Sequence, residues 1–198
     1  MSILGEPMPI FVAGLVVFLG IHSISIVAPR WRDAQAARIG ENAWRGLYSL
    51  VSIVSFVAIV YGYGIARRAP VMVYVPPVAL QHLTLLLMLP VFPLLIAAYL
   101  PGRVKRVARH PMLLAVILWA GSHLLANGTL NDVLLFGAFL VWAVADLISV
   151  SRRPNVRPVP SAPASVMNDV IVVVAGLGLY ALTLLWAHAH VIGVAPLG

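Results

Sequence analysis

The sequence predicts an all-α fold: a polytopic integral membrane bundle of about six transmembrane helices with both termini on the outer side. Three observations predict it. Hydrophobic residues make up 62% of the 198-residue chain and charged residues only 10%, with a mean hydropathy of +1.00; a soluble surface carries roughly 25% charge to stay wetted. The apolar residues fall into six runs, each near the ~20 residues that cross a bilayer. The basic residues fall between those runs, on alternate loops. Loop one with its flanks holds Arg30, Arg32, Arg38 and Arg45, loop three holds Arg103, Lys105, Arg106 and Arg109, and loop five holds Arg152, Arg153 and Arg157. That leaves only Arg67 and Arg68 for the opposite face, so the positive-inside rule places those three loops in the cytoplasm.

The runs cover residues 8–28, 44–66, 80–100, 111–126, 132–150 and 169–188, and nothing divides the chain, so residues 1–198 are expected to form a single transmembrane domain. The first run is not a cleavable signal peptide. Only Glu6 precedes it, and it is too long for a signal's apolar core. In the third run, Pro90 and Pro93 each remove an amide donor and should kink the helix. The fourth is short. Asn127-Gly128-Thr129-Leu130-Asn131 reads as a C-cap, a tight turn and an N-cap, which predicts an antiparallel hairpin of helices four and five. Arg152–Pro163 is a proline-rich linker. Trp31, Trp44 and Tyr99 are expected as an inner aromatic belt, and Tyr63, Tyr74 and Trp186 as an outer one.

Composition also excludes chemistry. The chain has no cysteine, so disulfides, thiolate nucleophiles and cysteine metal sites are ruled out. The net charge of +7 is dealt out in small loop clusters, which is a poor nucleic-acid surface, and no nucleic-acid partner is expected. Asp146 lies about a turn from Arg152 and Arg153, an interfacial or paired position, and no buried carboxylate pair offers acid–base chemistry. Ser49, Ser52 and Ser55 recur every three residues, as a small-residue packing face does. No inverted repeat or charge-lined span suggests a transporter.

Histidine is the remaining signal, because an ionisable side chain deep in a bilayer is costly unless it is used. His22 lies well inside helix one and His123 well inside helix four. His110 opens helix four, His82 opens helix three, and His188 and His190 close helix six. The last three lie at the outer interface, where histidine is tolerated without a ligand. They could form a metal cluster only if the helix ends between His188 and His190, which otherwise point ~200° apart. His110 and His123 are separated by ~20 Å along an ideal helix and ~140° around it, so they cannot share one small site. His22 should lie ~9 Å and His123 ~18 Å above the inner boundary. Two helices could therefore offer these residues to the two faces of a tilted planar cofactor, since neutral imidazole is the usual axial ligand of haem iron. Depth does not separate that pair from His22 with His110.

Several stretches resemble the NnrU family: Gly20-Ile21-His22-Ser23, Trp44-Arg45-Gly46-Leu47-Tyr48-Ser49-Leu50, Leu100-Pro101-Gly102-Arg103-Val104-Lys105 and Arg109-His110-Pro111-Met112-Leu113. The most specific is Leu118-Trp119-Ala120-Gly121-Ser122-His123-Leu124-Leu125-Ala126-Asn127-Gly128. The resemblance runs from about residue 8 to residue 150. It implies a multi-pass protein of the bacterial inner membrane, associated with nitrite and nitric oxide reduction in denitrification. The same superfamily holds zeta-carotene isomerase, a b-type haem enzyme whose two haem-ligating histidines fall on His22 and His123. That enzyme has a cysteine three residues before the second histidine; here Ala120 stands there, so a thiolate ligand switch is unavailable, and the resemblance implies a haem-dependent isomerase or a redox protein.

On this resemblance the cofactor is haem b, held by His22 and His123, with Trp119 as a packing wall and Arg45 or Arg109 neutralising the propionates. Beyond the lipid bilayer, the partners implied are a hydrophobic small molecule or nitric oxide, and a subunit of a respiratory reductase. Two alternatives differ in class. One is a non-enzymatic assembly or accessory factor for a nitric oxide or nitrite reductase. The other is S-adenosylmethionine-dependent methyl transfer, because Arg109-His110-Pro111 also resembles the cofactor edge of isoprenylcysteine methyltransferases. Against it, Ser149-Val150-Ser151-Arg152-Arg153 stands where those enzymes carry acidic residues. The plainer reading of Arg109-His110-Pro111 is a helix start with proline in its first turn and basic anchors beside it.

Overall fold

The computed structural model describes residues 7–153 and 161–197. Glu6, Arg157 and most of the proline-rich linker lie outside the described residues. The described residues are predominantly helical, without strands. The helices are α1 (Pro7–Val27), α2 (Pro29–Ile39), α3 (Glu41–Ala66), α4 (Val78–Met88), α5 (Val91–Ala97), α6 (Arg103–Ala108), α7 (Pro111–Ala126), α8 (Leu130–Arg152) and α9 (Val166–Leu182), which continues as a wider π-helical segment, Thr183–Ile192. Five stretches are long and apolar enough to cross a membrane: Met8–Val27, Glu41–Ala66, Val78–Ala97, Leu130–Arg152 and Val166–Ile192. The fourth predicted run is the shorter apolar helix Pro111–Ala126. Their outward faces are greasy, with Val16, Leu50, Val57, Val141, Val174 and Leu185 all more than half exposed. A soluble protein does not present apolar surface on this scale. The chain is a polytopic, all-helical membrane protein.

Three local expectations change. The first loop is not irregular: Pro29 starts α2, proline being suited to a first helical turn, and Gly40 at φ 91° separates α2 from α3. The third span, by contrast, kinks at Pro90 as expected, far enough to interrupt the helical bonding. The Leu89 amide bonds to the Leu86 carbonyl, Pro90 has no amide to give, and α5 starts afresh at Val91. The N-cap of α8 is Thr129 and not Asn131, for the Thr129 hydroxyl accepts from the Asp132 amide at 3.5 Å. Trp44, expected in an aromatic belt, is instead buried against Trp31 at 6.0 Å between ring centroids.

The chain packs as two compact units, one of residues 1–75 and 127–152 and the other of residues 76–126 and 153–198. The fourth and fifth spans, read as a hairpin, fall into different units and have their packing partners within them.

In the first unit α1 packs along α3, and α8 packs on α1. Phe11 is fully buried at the centre, among Met8, Leu15, Ile59 and Ala66. The helices approach until backbone meets backbone. A methyl group placed on Gly62 would lie 2.6 Å from the Phe11 amide nitrogen, and one on Gly14 would lie 2.9 Å from the Ile59 amide nitrogen. Ser55 is buried at this seam, which bears out the packing-face reading there, while Ser49 is exposed. At one end of the unit the segment before α8 pairs with residues 71–74. Val73 and Tyr74 donate to the Gly128 carbonyl at 2.8 and 3.1 Å, and the Leu130 amide donates to Val71 at 2.8 Å. Beneath it the buried Asp132 accepts from the Tyr63 and Thr129 hydroxyls, both at 2.5 Å.

In the second unit α5 packs on α9 and α7, and α4 packs on α7. Gly176 faces Pro93 closely enough that an added methyl would lie 2.6 Å from the proline nitrogen. The break at Pro90 leaves the Leu85 carbonyl without the Leu89 amide, and the Tyr180 hydroxyl donates to it at 2.8 Å. The Thr84 hydroxyl donates to the Ser122 carbonyl at 2.8 Å. The carboxylate of Asp169 accepts from the amides of Arg103 (2.9 Å) and Val104 (3.0 Å), capping α6 from a distant part of the chain. Asn168 donates to the carbonyls of Pro101 (2.7 Å) and Pro163 (2.9 Å).

Candidate functional site

His22 is the best-walled polar residue of the first unit. Helical spacing puts Phe18 one turn earlier on the same face, and its ring stacks on the imidazole at 4.2 Å between centroids. From α3, Tyr48 lies 5.1 Å away. From α8, Trp142 meets the imidazole edge-on at 6.0 Å and 88°. Three helices thus build an aromatic wall around one half-buried histidine. Its Nδ1 donates to the Phe18 carbonyl at 2.6 Å. A carbonyl only accepts, so in the neutral ring Nδ1 carries the hydrogen and Nε2 keeps the lone pair. That is the tautomer a metal ligand needs, with the ring held in place by its bond to the Phe18 carbonyl. The indole N–H of Trp142 is also buried and meets no acceptor among the described residues, a costly arrangement that marks this pocket as polar at one point.

His123 repeats the local geometry on α7, in the second unit. Its Nδ1 donates to the Trp119 carbonyl at 2.8 Å, and the Trp119 ring lies 5.5 Å from the imidazole. Trp119 thus lies one helical turn from His123 on the same helix. Ala120, in the position of the isomerase cysteine, is fully buried. The adjacent Ser122 is buried as well, its hydroxyl oxygen unpaired among the described residues.

The other predicted residues are placed differently. Arg45 is exposed, and its Nε donates to Glu41 at 3.2 Å one turn earlier. His110 immediately precedes α7, at the opposite end of that helix from His123, as the spacing required. Arg109 before it has φ 58° and ψ −55°, a left-handed backbone that a non-glycine residue adopts at a cost; its side chain is exposed. The histidines expected at the outer interface do not form a cluster of three among the described residues. His188 Nδ1 donates to the Val194 carbonyl at 2.7 Å and His190 Nδ1 to the Trp186 carbonyl at 2.8 Å. Among the described residues no group of three or more His, Asp or Glu side chains could hold a metal ion.

Sequence reasoning missed Phe18, Tyr48 and Trp142 as neighbours of His22. Phe18 was available from the i, i+4 spacing, and Tyr48 sat inside a quoted motif without a role. Trp142 could be found only once α8 was packed on α1. Asp146, half-buried, lies close enough to Tyr48 for its charge to act there, so this carboxylate belongs to the same region.

Searches of curated proteins and of solved structures gave no match for the chain. The family described as "NnrU protein" matches residues 10–196, taking in the tail that the sequence motifs left undiagnosed. With the all-helical membrane fold and the histidine-bearing stretches in place, that match covers almost the whole chain: the protein belongs to the NnrU family.

Proposed function

We propose that this NnrU protein binds b-type haem, with His22 and His123 as the candidate ligands that the resemblance implies, and serves as a redox or gas-responsive haem protein in the bacterial inner membrane, alongside nitrite and nitric oxide reduction. The observation that carries the reading is the state of the two imidazoles. Each, half-buried on an apolar helix, spends Nδ1 on the carbonyl four residues earlier. Each therefore keeps Nε2 as the nitrogen that would face iron, which is the ligand state that axial coordination requires.

The residues present fit such a group one by one. Phe18, Tyr48 and Trp142 keep the His22 ring dry and fix its angle, and Trp119 does the same for His123. The unspent indole N–H of Trp142 is a donor ready for an acceptor on the bound group. The exposed guanidinium of Arg109 offers a charge for a carboxylate. Arg45 does so only by sharing with Glu41, to which it is already paired. Bound haem would supply one-electron chemistry and an affinity for small gases. With Ala120 in the cysteine position no thiolate can replace an imidazole, so the chemistry expected is that of a bis-histidine site. In this reading the arginine-rich loops face the cytoplasm and both termini lie outside.

The test is the absorption spectrum of detergent-purified protein expressed with added haem, oxidised and then dithionite-reduced. A Soret band that sharpens and shifts on reduction, and is lost in His22→Ala and in His123→Ala, supports the proposal. Protein without a Soret band, still monodisperse and helical, would leave the accessory-factor reading, to be sought by co-purification with a reductase subunit. Calorimetry with S-adenosylmethionine separates the methyl-transfer alternative.

A further inference from the structure

Helix α2 is too short and too polar to cross a bilayer, yet it follows directly from the end of the apolar α1. One side of it is fastened to α3. Ala36 is buried. Arg32 donates to both carboxylate oxygens of Glu41, at 2.9 and 3.3 Å, and lies 5.6 Å above the Trp44 ring. At 100° per residue, Arg30 and Arg38 fall roughly 140° around the helix from the side that Arg32 and Ala36 share. Both are exposed. The acids of this stretch are already engaged, Asp33 by Arg32 and Glu41 by Arg32 and Arg45, so two arginines face outward without a carboxylate. Around them lie exposed apolar groups: Val27 at 81%, Trp31 at 51% and Ile39 at 45%. Positive charge set among exposed apolar side chains at the end of a membrane-crossing helix is the chemistry of a lipid-headgroup contact.

A second feature of the same unit continues from it. Between α1 and α8 runs an open groove of about 530 Å³, lined by Leu19, Ile26 and Val27 on one side and Ala138, Val141 and Trp142 on the other. Gly137 and Ala145 hollow it further by giving α8 no bulk there. Its wall is almost wholly apolar, and its size lies within the range of sites that enclose a hydrophobic ligand. Val27 ends the groove on α1. Arg30 is three residues on, so its Cα is within ~11 Å of Val27 whatever the chain's path. A slot for a hydrocarbon chain and an uncompensated guanidinium are thus joined at the reach of one amphiphile.

We propose that the protein carries a specific site for one anionic phospholipid, its acyl chain in the α1–α8 groove and its phosphate against Arg30, with Arg38 adding to the positive field. Charge decides the occupant. A zwitterionic lipid would fill the groove equally well but would bring a cationic group toward Arg30 and Arg38, and a free phosphate has nothing to place in the groove.

The test uses the full chain in detergent, titrated in native mass spectrometry with phosphatidylglycerol and with phosphatidylcholine of identical acyl chains. The site predicts one tightly held phosphatidylglycerol, preferred at least about ten-fold. Arg30→Gln should reduce that preference about five-fold and Arg38→Gln by less, by the worth of a basic contact near a lipid surface. Arg67→Gln with Arg68→Gln, on the other loop, should leave it unchanged. Ala138→Phe fills the groove from the α8 side and should reduce binding of both lipids; Val141→Trp does so from a residue 71% exposed, where misfolding is not in question. Equal binding of the two lipids, or an unchanged preference in Arg30→Gln, would overturn the headgroup assignment. Undiminished binding in Val141→Trp would overturn the groove.

Discussion

In the unit of α1, α3 and α8, helices meet backbone to backbone: Gly62 leaves room for Phe11 and Gly14 for Ile59. In the unit of α4 to α7 and α9, the close approach of Gly176 to Pro93 is joined by side chains reaching for main-chain groups. Tyr180 takes the Leu85 carbonyl, Thr84 the Ser122 carbonyl, Asp169 the amides of α6, and Asn168 the carbonyl of Pro101. The difference follows from continuity. Helices α1 and α3 run unbroken, have no spare backbone groups along their length, and can close on small residues. The span interrupted at Pro90 and the turn at Pro101 release carbonyls and amides that an apolar medium will not satisfy, so neighbouring hydroxyls and carboxylates must. The first unit is closed along α1 and α3 by shape, its bonds gathered at the Asp132 end; the second is closed by shape and bonds.

That contrast can be broken at named positions. The largest effect is expected from Gly62→Leu, which drives a side chain into the Phe11 backbone. A loss of about 3 kcal/mol, or of monodisperse protein altogether, should appear in thermal unfolding followed by circular dichroism. Gly64→Leu, two residues on with nothing within 4 Å, should unfold close to wild type. Gly176→Leu is expected next, at about 2 kcal/mol, against a near-neutral Gly178→Leu. The hydrogen-bonded closures should be weaker singly. Thr84→Val is expected to cost about 1 kcal/mol and Tyr180→Phe about 0.6 kcal/mol, since hydrogen bonds between membrane helices are worth little individually. If Tyr180→Phe proved as damaging as Gly62→Leu, the distinction between the two modes of closure would fail.

Much of this was legible in the chain. The apolar runs gave the spans to within a few residues, and the fourth, residues 111–126, coincides with its helix, because bilayer-crossing runs are long and their composition is one-sided. Boundaries set by turn chemistry were harder. Asn131 has the right side chain for a cap, yet Thr129 takes that role, since residues 71–74 pair with Gly128 and Leu130 and start the helix earlier. Helix α2 was not legible from apolar periodicity, being polar and held by Arg32 and Trp31 against α3. The last span widens into a π-helical segment at Thr183, for which its sequence offers no obvious cause. Within the site, His22 and His123 stood out as polar residues in apolar runs, and Trp119 as the neighbour of His123. Asp169 was read only as the edge of a span. Its role in capping α6 depends on a contact across 65 residues, which no local pattern encodes.

The two histidines repeat the comparison on a smaller scale. Both fix Nδ1 on the preceding turn, but His22 is walled by three helices of its unit and His123 by a tryptophan of its own helix. The His22 pocket is therefore the better preorganised of the two and should survive loss of its imidazole as a shaped cavity. The most direct test of the haem proposal uses that cavity. His22→Gly is purified with haem, and its reduced spectrum is recorded before and after adding free imidazole. The account predicts that the bis-histidine spectrum is lost in the variant and restored by imidazole, while an equal concentration of imidazole leaves the wild type unaltered. A His22→Gly protein whose spectrum already matches the wild type would contradict it.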